Sequence, residues 1–134
     1  MILKIYTDGW SRWNPGSAWI GVYITDKDWK PVEKRYKSLW KKTNNQAEYL
    51  GALYWIERWI ELGATEIQLY MDSELVINQL SWIFKVKNKD LAEIKFEIQK
   101  IIQTWWWKIS FNHIPREINK EADRLSNVAM DRNP

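Results

Sequence analysis

The chain contains no cysteine and a single histidine, His113. Without thiols there are no disulfides, no thiolate nucleophile and no sulfur-based metal site, and a reducing, cytoplasmic compartment is the expectation. No cluster of histidine and cysteine exists either, so any metal would have to be held by oxygen. Long hydrophobic runs are also missing. No stretch approaches the roughly 20 apolar residues of a membrane span, and no signal-peptide pattern opens the chain. Neither sign of charge dominates: 20 Lys and Arg against 17 Asp and Glu leave +3, which permits an anionic partner without demanding one. No repeat, low-complexity segment or linker divides the 134 residues, so one domain, 1–134, with its own core is expected.

What is present in excess is tryptophan, eleven residues in a chain otherwise balanced like a soluble globular protein. That load raises redesign as one origin of the sequence. The organising stretch, however, is Leu3-Lys4-Ile5-Tyr6-Thr7-Asp8-Gly9, an apolar-rich run ending in a carboxylate and a glycine. It reads as a strand that delivers an acid to its carboxyl end, where the backbone turns. The pattern returns at Ile67-Gln68-Leu69-Tyr70-Met71-Asp72-Ser73. Two such strands lying side by side would bring Asp8 and Asp72 together.

In chain order, residues 2–7, 18–25 and 32–39 read as an antiparallel meander, joined by a turn-rich connection over 10–17 and a polar hairpin loop over 26–30. A helix over about 46–62 follows, with the stripe Tyr49, Ala52, Leu53, Ile56, Trp59 and Ile60 and Gly63 as its C-terminal cap. Then come a strand at 66–71, a short helix at about 73–80, and a basic, aromatic loop at 82–88. A helix at about 90–104 follows, with Leu91, Ile94, Ile98, Ile101 and Ile102 on one face. Alternating Trp107, Ile109 and Phe111 make a fifth strand; Pro115 ends it, and Ile118, Ala122, Leu125 and Ala129 mark a last helix, with a frayed tail from Arg132. The order βββαβααβα predicts an α/β fold: a five-stranded mixed sheet, three antiparallel strands then two parallel, flanked by helices.

Four acids fall where this fold can gather them: Asp8 and Asp72 at strand ends, Glu48 in the first turn of the first long helix, and Asp123 early in the last helix. Carboxylates collected at one edge repel one another unless hard cations neutralise them. Oxygen-only ligands favour Mg²⁺ or Mn²⁺ over zinc. Two such ions about 4 Å apart would stabilise both the attacking and the leaving oxygen of a phosphoryl displacement. Any one of these acids taken alone reads as a surface or capping charge; the local contexts together carry the signal.

Tyr6-Thr7-Asp8-Gly9 with Asn14-Pro15-Gly16, Thr43-Asn44-Asn45-Gln46-Ala47-Glu48, Met71-Asp72-Ser73 with Val76, and Asn119-Lys120-Glu121-Ala122-Asp123-Arg124-Leu125 closely resemble the motifs of type 1 ribonuclease H. Order and spacing match over about residues 2–130, and the compact chain looks closer to the short archaeal and bacterial forms, with no extended basic handle beyond 82–89. The resemblance implies a ribonuclease H-like fold and endonucleolytic hydrolysis of the RNA strand of an RNA/DNA hybrid with two Mg²⁺ ions, Mn²⁺ being a possible substitute. By position, Asp8, Glu48, Asp72 and Asp123 look like the family's metal-binding carboxylates. Asn14, Asn44, Asn45 and Gln46 resemble residues that contact the RNA strand, whose 2′-hydroxyl both donates and accepts; Thr43 resembles one that helps hold a DNA phosphate. For Asn14 a plain turn residue, and for Asn44 or Asn45 a helix N-cap, is the competing reading.

Three residues are auxiliary candidates. Family members often carry a histidine in the loop after the fifth strand, but here that loop looks shortened, and His113 continues the strand alternation, which favours a structural role. Arg116, a permanent cation, is the better candidate near the scissile phosphate; Asn119 opens the last motif. Lys41, Lys42, Lys85, Lys87 and Lys89, with Trp82 and Phe84 interleaved, read either as a phosphate-contacting patch or as a solvated face.

The tryptophans are a second departure from the family. Trp10, Trp13 and Trp19 fall where it has small residues or glycine, beside the turn that approaches substrate, so Trp10 and Trp13 either obstruct the hybrid or stack on it. Trp40, Trp55, Trp59 and Trp82 read as packing or surface replacements, and of the consecutive Trp105, Trp106 and Trp107 at least one must face outward on a strand. Two functions are therefore carried forward: an active hybrid nuclease, and a catalytically impaired, redesigned scaffold that keeps the acid cluster. A reverse-transcriptase-linked or transposase-type relative is a third, and the Thr43–Glu48 run with a complete acid set points away from a transposase. No obligate protein partner is expected; the chain reads as a monomer, with tryptophan-driven self-association as the alternative.

Overall fold

The computed structural model describes residues 2–13, 16–61, 63–81, 89–105 and 108–132, the side chains of Arg58, Asp90, Ile102 and Trp105 excepted. The expectations for Asn14, for the basic and aromatic stretch 82–88, for Trp106 and Trp107 and for the last two residues lie outside the described residues. Strands β1 (Ile2–Ser11), β2 (Gly16–Asp26) and β3 (Pro31–Lys42) are followed by α1 (Asn44–Glu61), β4 (Glu66–Met71), α2 (Glu74–Leu80), α3 (Lys89–Trp105), β5 (Ile109–His113) and α4 (Lys120–Arg132). The sheet order is β3-β2-β1-β4-β5. β1 pairs antiparallel with β2 and parallel with β4, and β4 pairs parallel with β5, so the expected mixed sheet is the one formed.

Alternation along β1 decides what each face meets. Leu3 and Ile5 point to one side, where Val22, Ile24, Leu69 and Met71 join Tyr49, Ala52 and Ile56 of α1 in a core closed by Leu80, Leu91 and Ile98. Burying each such aliphatic side chain stabilises the fold by about 1.5–3 kcal/mol. The opposite side carries Tyr6, stacked on Tyr70 with ring centroids 4.8 Å apart. On that side α4 lies against β2, and the close approach depends on Gly21. A Cβ there would sit 2.1 Å from the carbonyl oxygen of Ala122 and 2.4 Å from the amide nitrogen of Ser126.

Several boundaries differ from the sequence expectation, each for a local reason. β1 and β2 stay paired out to Ser11 and Ala18, so the connection expected over 10–17 is much shorter. α1 starts at Asn44 because Thr43 caps it: the Gln46 amide nitrogen donates to Thr43 Oγ1 at 3.1 Å and the Thr43 amide to Gln46 Oε1 at 2.8 Å, a reciprocal capping box. Neither Asn44 nor Asn45 is the cap. Glu48 consequently belongs to the second turn of α1, not the first. At the other end Gly63 takes φ 90°, with Gly63 N–H donating to Ile60 and Ala64 N–H to Trp59, the paired bonds of a Schellman cap. Ile118 does not join the last helix; it sits in a 3₁₀ turn, Arg116–Ile118, and is 62% exposed.

The β2–β3 hairpin closes through Asp26, whose carboxylate accepts from the amides of Asp28 and Lys30. Trp29 N–H returns to the Asp26 carbonyl at 3.2 Å, and Trp29 itself has φ 66°. Trp55 and Trp59 are buried as packing residues, while Trp40 is 89% exposed at the end of β3.

Candidate active site

Register places the first two acids. The parallel β1–β4 pairs end at Tyr6 opposite Tyr70, and Asp8 and Asp72 each stand two residues further along. α1 supplies the third acid. Gly9 lets the backbone of β1 pass close to α1, since a Cβ there would lie 2.7 Å from the carbonyl carbon of Ala47. The approach lets the Gly9 N–H donate to the buried Glu48 carboxylate. Oxygens of Asp8, Glu48 and Asp72 all lie within 4.8 Å of one another. α4, docked on Gly21, brings Asp123 to the same cavity, where it helps raise the Asp8 carboxyl, although it stands outside the 4.8 Å cluster of the other three.

Two further side chains hold this set. Asn119 is 1% exposed, and its Nδ2 donates to the carbonyl of Thr7 at 2.9 Å and to Asp72 Oδ2 at 3.2 Å. Ser126, fully buried, lies 2.7 Å from the Asp123 carbonyl and 3.2 Å from Asp8 Oδ2, so its one proton serves either acceptor. Sequence reasoning missed Ser126. The available signal was its i+3 spacing from Asp123, which puts both on one face of α4; serine on a helix is too common for that to stand out.

The electrostatics follow from the crowding. Burial first, then the charge of Asp72, pushes Asp8 from 3.8 up to about 7. Glu48 is raised well above the ordinary carboxylate range by burial, then by Asp8 and Asp72, with the Gly9 N–H pulling the other way. The cavity over the acids has a volume of about 570 Å³ and is lined by Trp10, Asn45, Asn127 and Arg116 besides the four carboxylates. Arg116 is the one cation among the described lining residues; its Nη2 is 3.9 Å from Asp123 Oδ1, and its side chain is 80% exposed. One exposed guanidinium does not balance four acids. The oxygen-only donor set, mutually repelling and clamped by neutral donors, fits a hard divalent cation.

The remaining sequence candidates divide. Asn45 lines the cavity. Asn44 also borders it, but its Oδ1 accepts from the Ser11 amide at 2.6 Å and from the Ser11 hydroxyl at 3.1 Å, tying the end of β1 to α1. Thr43 and Gln46 face each other in the capping box. His113 ends β5 opposite Met71, is exposed, and is not among the described cavity residues.

Comparison with known proteins agrees with this arrangement. A family model described as reverse transcriptase-like matches residues 7–129. The RNase H1 of the halophilic archaeon Halobacterium salinarum is 32% identical over 98% of this chain and 99% of that one, with a TM-score of 0.92. The chain belongs to the ribonuclease H family. Another ribonuclease H of the type 1 form, LC11-RNase H1 from compost, was solved in complex with RNA/DNA hybrid. It is 37% identical, covers 97% of each chain and has a TM-score of 0.90. A bifunctional protein of Mycobacterium tuberculosis is 39% identical over 98% of this ribonuclease H-family chain. The chain spans about a third of the length of the first curated relatives it matches, 36%. Among the described residues no helix is long and apolar enough to cross a membrane.

Proposed function

We propose that the chain is an endoribonuclease that hydrolyses the RNA strand of RNA/DNA hybrids, using two divalent ions, Mg²⁺ with Mn²⁺ as substitute. The observation that carries the proposal is the convergence of Asp8, Glu48 and Asp72 oxygens within 4.8 Å, with Asp123 on the wall of the same open cavity. Asp8, Glu48, Asp72 and Asp123 would hold the ions. Such ions supply charge neutralisation at the attacking and leaving oxygens of a phosphodiester.

The chain's own groups then have distinct tasks. The Gly9 N–H and the Asn119 amide hold Glu48 and Asp72, which lowers the side-chain entropy these two lose when the ions arrive. Ser126 orients Asp8. Arg116, exposed and adjacent to Asp123, meets the negative charge of the scissile region. Asn45 and Asn44 on the cavity wall, with Asn14 in the turn sequence after β1, would offer amides to the 2′-hydroxyl that separates RNA from DNA. Thr43 and Gln46 hold the start of α1 and contribute to substrate contact through its placement. Asn119 is a positioning residue, and His113 takes no step.

The test is cleavage of a labelled RNA/DNA hybrid with Mg²⁺, beside the same RNA as a single strand, by the wild-type chain and by Asp72→Asn. Hybrid-only, metal-dependent cutting that disappears in the variant is expected. Cutting retained by Asp72→Asn would show that the site lies elsewhere. No cutting by a folded, metal-binding wild-type chain would favour an impaired scaffold.

A further inference from the structure

Trp29 holds a backbone conformation that tryptophan has no chemical reason to hold. Its φ is 66°, and among the described residues the only other positive φ belongs to Gly63. The surrounding hairpin explains the geometry. Asp26 accepts from the Trp29 amide to close a turn, and the next residue rejoins the ladder as Lys30 N–H meets the Asp26 carboxylate. A turn followed by one left-handed residue is a common hairpin closure, and glycine is the residue that occupies its left-handed position without strain. An L side chain there disfavours the conformation by a factor of roughly ten. The indole recovers part of that: the Lys4 ammonium lies 3.2 Å from its ring centroid, and Tyr6 is 6.4 Å away. The ring is nevertheless 57% exposed.

The oddity follows the residue type across unrelated environments. Trp13 is 72% exposed beside the β1–β2 turn, and Trp40 is 89% exposed at the end of an edge strand. Large rings in those places bury little and offer wide apolar surface to solvent. Trp55 and Trp59 are buried with indole N–H groups that have no hydrogen-bond acceptor among the described residues, which is costly for a buried donor. A chain with eleven tryptophans and five glycines inverts the ordinary ratio of the two. Where sterics forbid any Cβ, at Gly9 and Gly21, glycine is kept. A defect that tracks one amino acid rather than one environment points to the codon behind it.

We propose that positions 29, 13 and 40 are glycine positions. The gene specifies them by UGA, a codon that some genetic codes read as tryptophan and others as glycine, and its host reads it as glycine. The host-made protein then carries a glycine hairpin at 29 and a bare turn at 13, two residues beyond Ser11 of the cavity lining. The bulk that favoured an impaired scaffold is reduced there without any redesign. The inference stands on backbone conformation and exposure and does not depend on the nuclease reading.

Two measurements test it. Peptides of the protein purified from the organism that carries the gene are sequenced by mass spectrometry; glycine is expected at 29, 13 and 40. Tryptophan at 29, or a UGG codon there, overturns the proposal, and tryptophan at 13 or 40 overturns the shared-codon part. Independently, Trp29→Gly and Trp29→Ala are compared in the recombinant chain by denaturant unfolding. Both lose the ring and its Lys4 contact, and only alanine keeps a Cβ. A folding constant roughly tenfold larger for the glycine variant is expected. Equal stabilities would refute the glycine assignment.

Discussion

Asp8→Asn separates what the acid cluster does for chemistry from what it costs the fold. Asp8 titrates near 3.8 when unperturbed and at about 7 in the folded chain. The sign is fixed by that order. The folded state holds the proton more tightly, so the carboxyl imposes no penalty below about pH 3.8, a growing one as pH rises, and a constant one above about 7. At about 1.4 kcal/mol per pH unit, the full penalty is about 4 kcal/mol. Asparagine keeps the shape, can accept from Ser126, and carries no charge toward Glu48 or Asp72. In the presence of a chelator the variant should be more stable than wild type by about 2–4 kcal/mol near pH 8, and by less than about 1 kcal/mol near pH 4. Urea unfolding at several pH values reads this directly, and saturating Mg²⁺ should narrow or reverse the difference, because wild type alone gains the full linkage stabilisation. A variant less stable than wild type at high pH, or a gain that does not change with pH, would refute the repulsion argument.

Asn119→Ala removes both amide bonds that hold Asp72 and Thr7 and should cost about 1–3 kcal/mol in unfolding experiments. In steady-state kinetics it should lower kcat with little change in KM for hybrid. Gly21→Ala drives a methyl into the backbone of α4 and should cost about 3 kcal/mol or more, read as a fall in thermal midpoint together with loss of divalent-ion binding by calorimetry. Thr43→Ala breaks the capping box and should cost about 1 kcal/mol in thermal denaturation followed by circular dichroism while cleavage persists.

Element order and strand direction were legible in the sequence because the periodicities are local: two-residue alternation through Ile5 and Leu69, and the three-and-four spacing of Tyr49, Ala52 and Ile56. The acids were legible only as a set, because an acid at a strand end or helix start has an ordinary capping or surface explanation and only the four local contexts together point to a site. What the sequence could not express is contact between distant backbones. Nothing local in Gly21 says that α4 will rest on it, and nothing in Ser126 says that it will reach Asp8. The competing reading of Asn44 or Asn45 as the cap fails for a related reason. Asn44 and Thr43 both suit an N-cap, and the choice was made by Ser11, 33 residues upstream, which engages Asn44 and leaves Thr43 with Gln46.

The pairing of β1 with β4 has a consequence for how the molecule comes into being. β1 finds β2 through a short connection, but its parallel partner arrives about sixty residues later, and α4, which carries Asp123 and Ser126, is the last element of all. Contacts this far apart in sequence close slowly, because chain entropy must be lost before they return anything. The β1–β2 hairpin by itself holds Asp8 alone, and a chain folded through β4 and α2 would still lack the acid and the serine brought by the final helix. Metal affinity should thus develop with the last folding step, and divalent-ion binding can be used as a clock for completion of the fold.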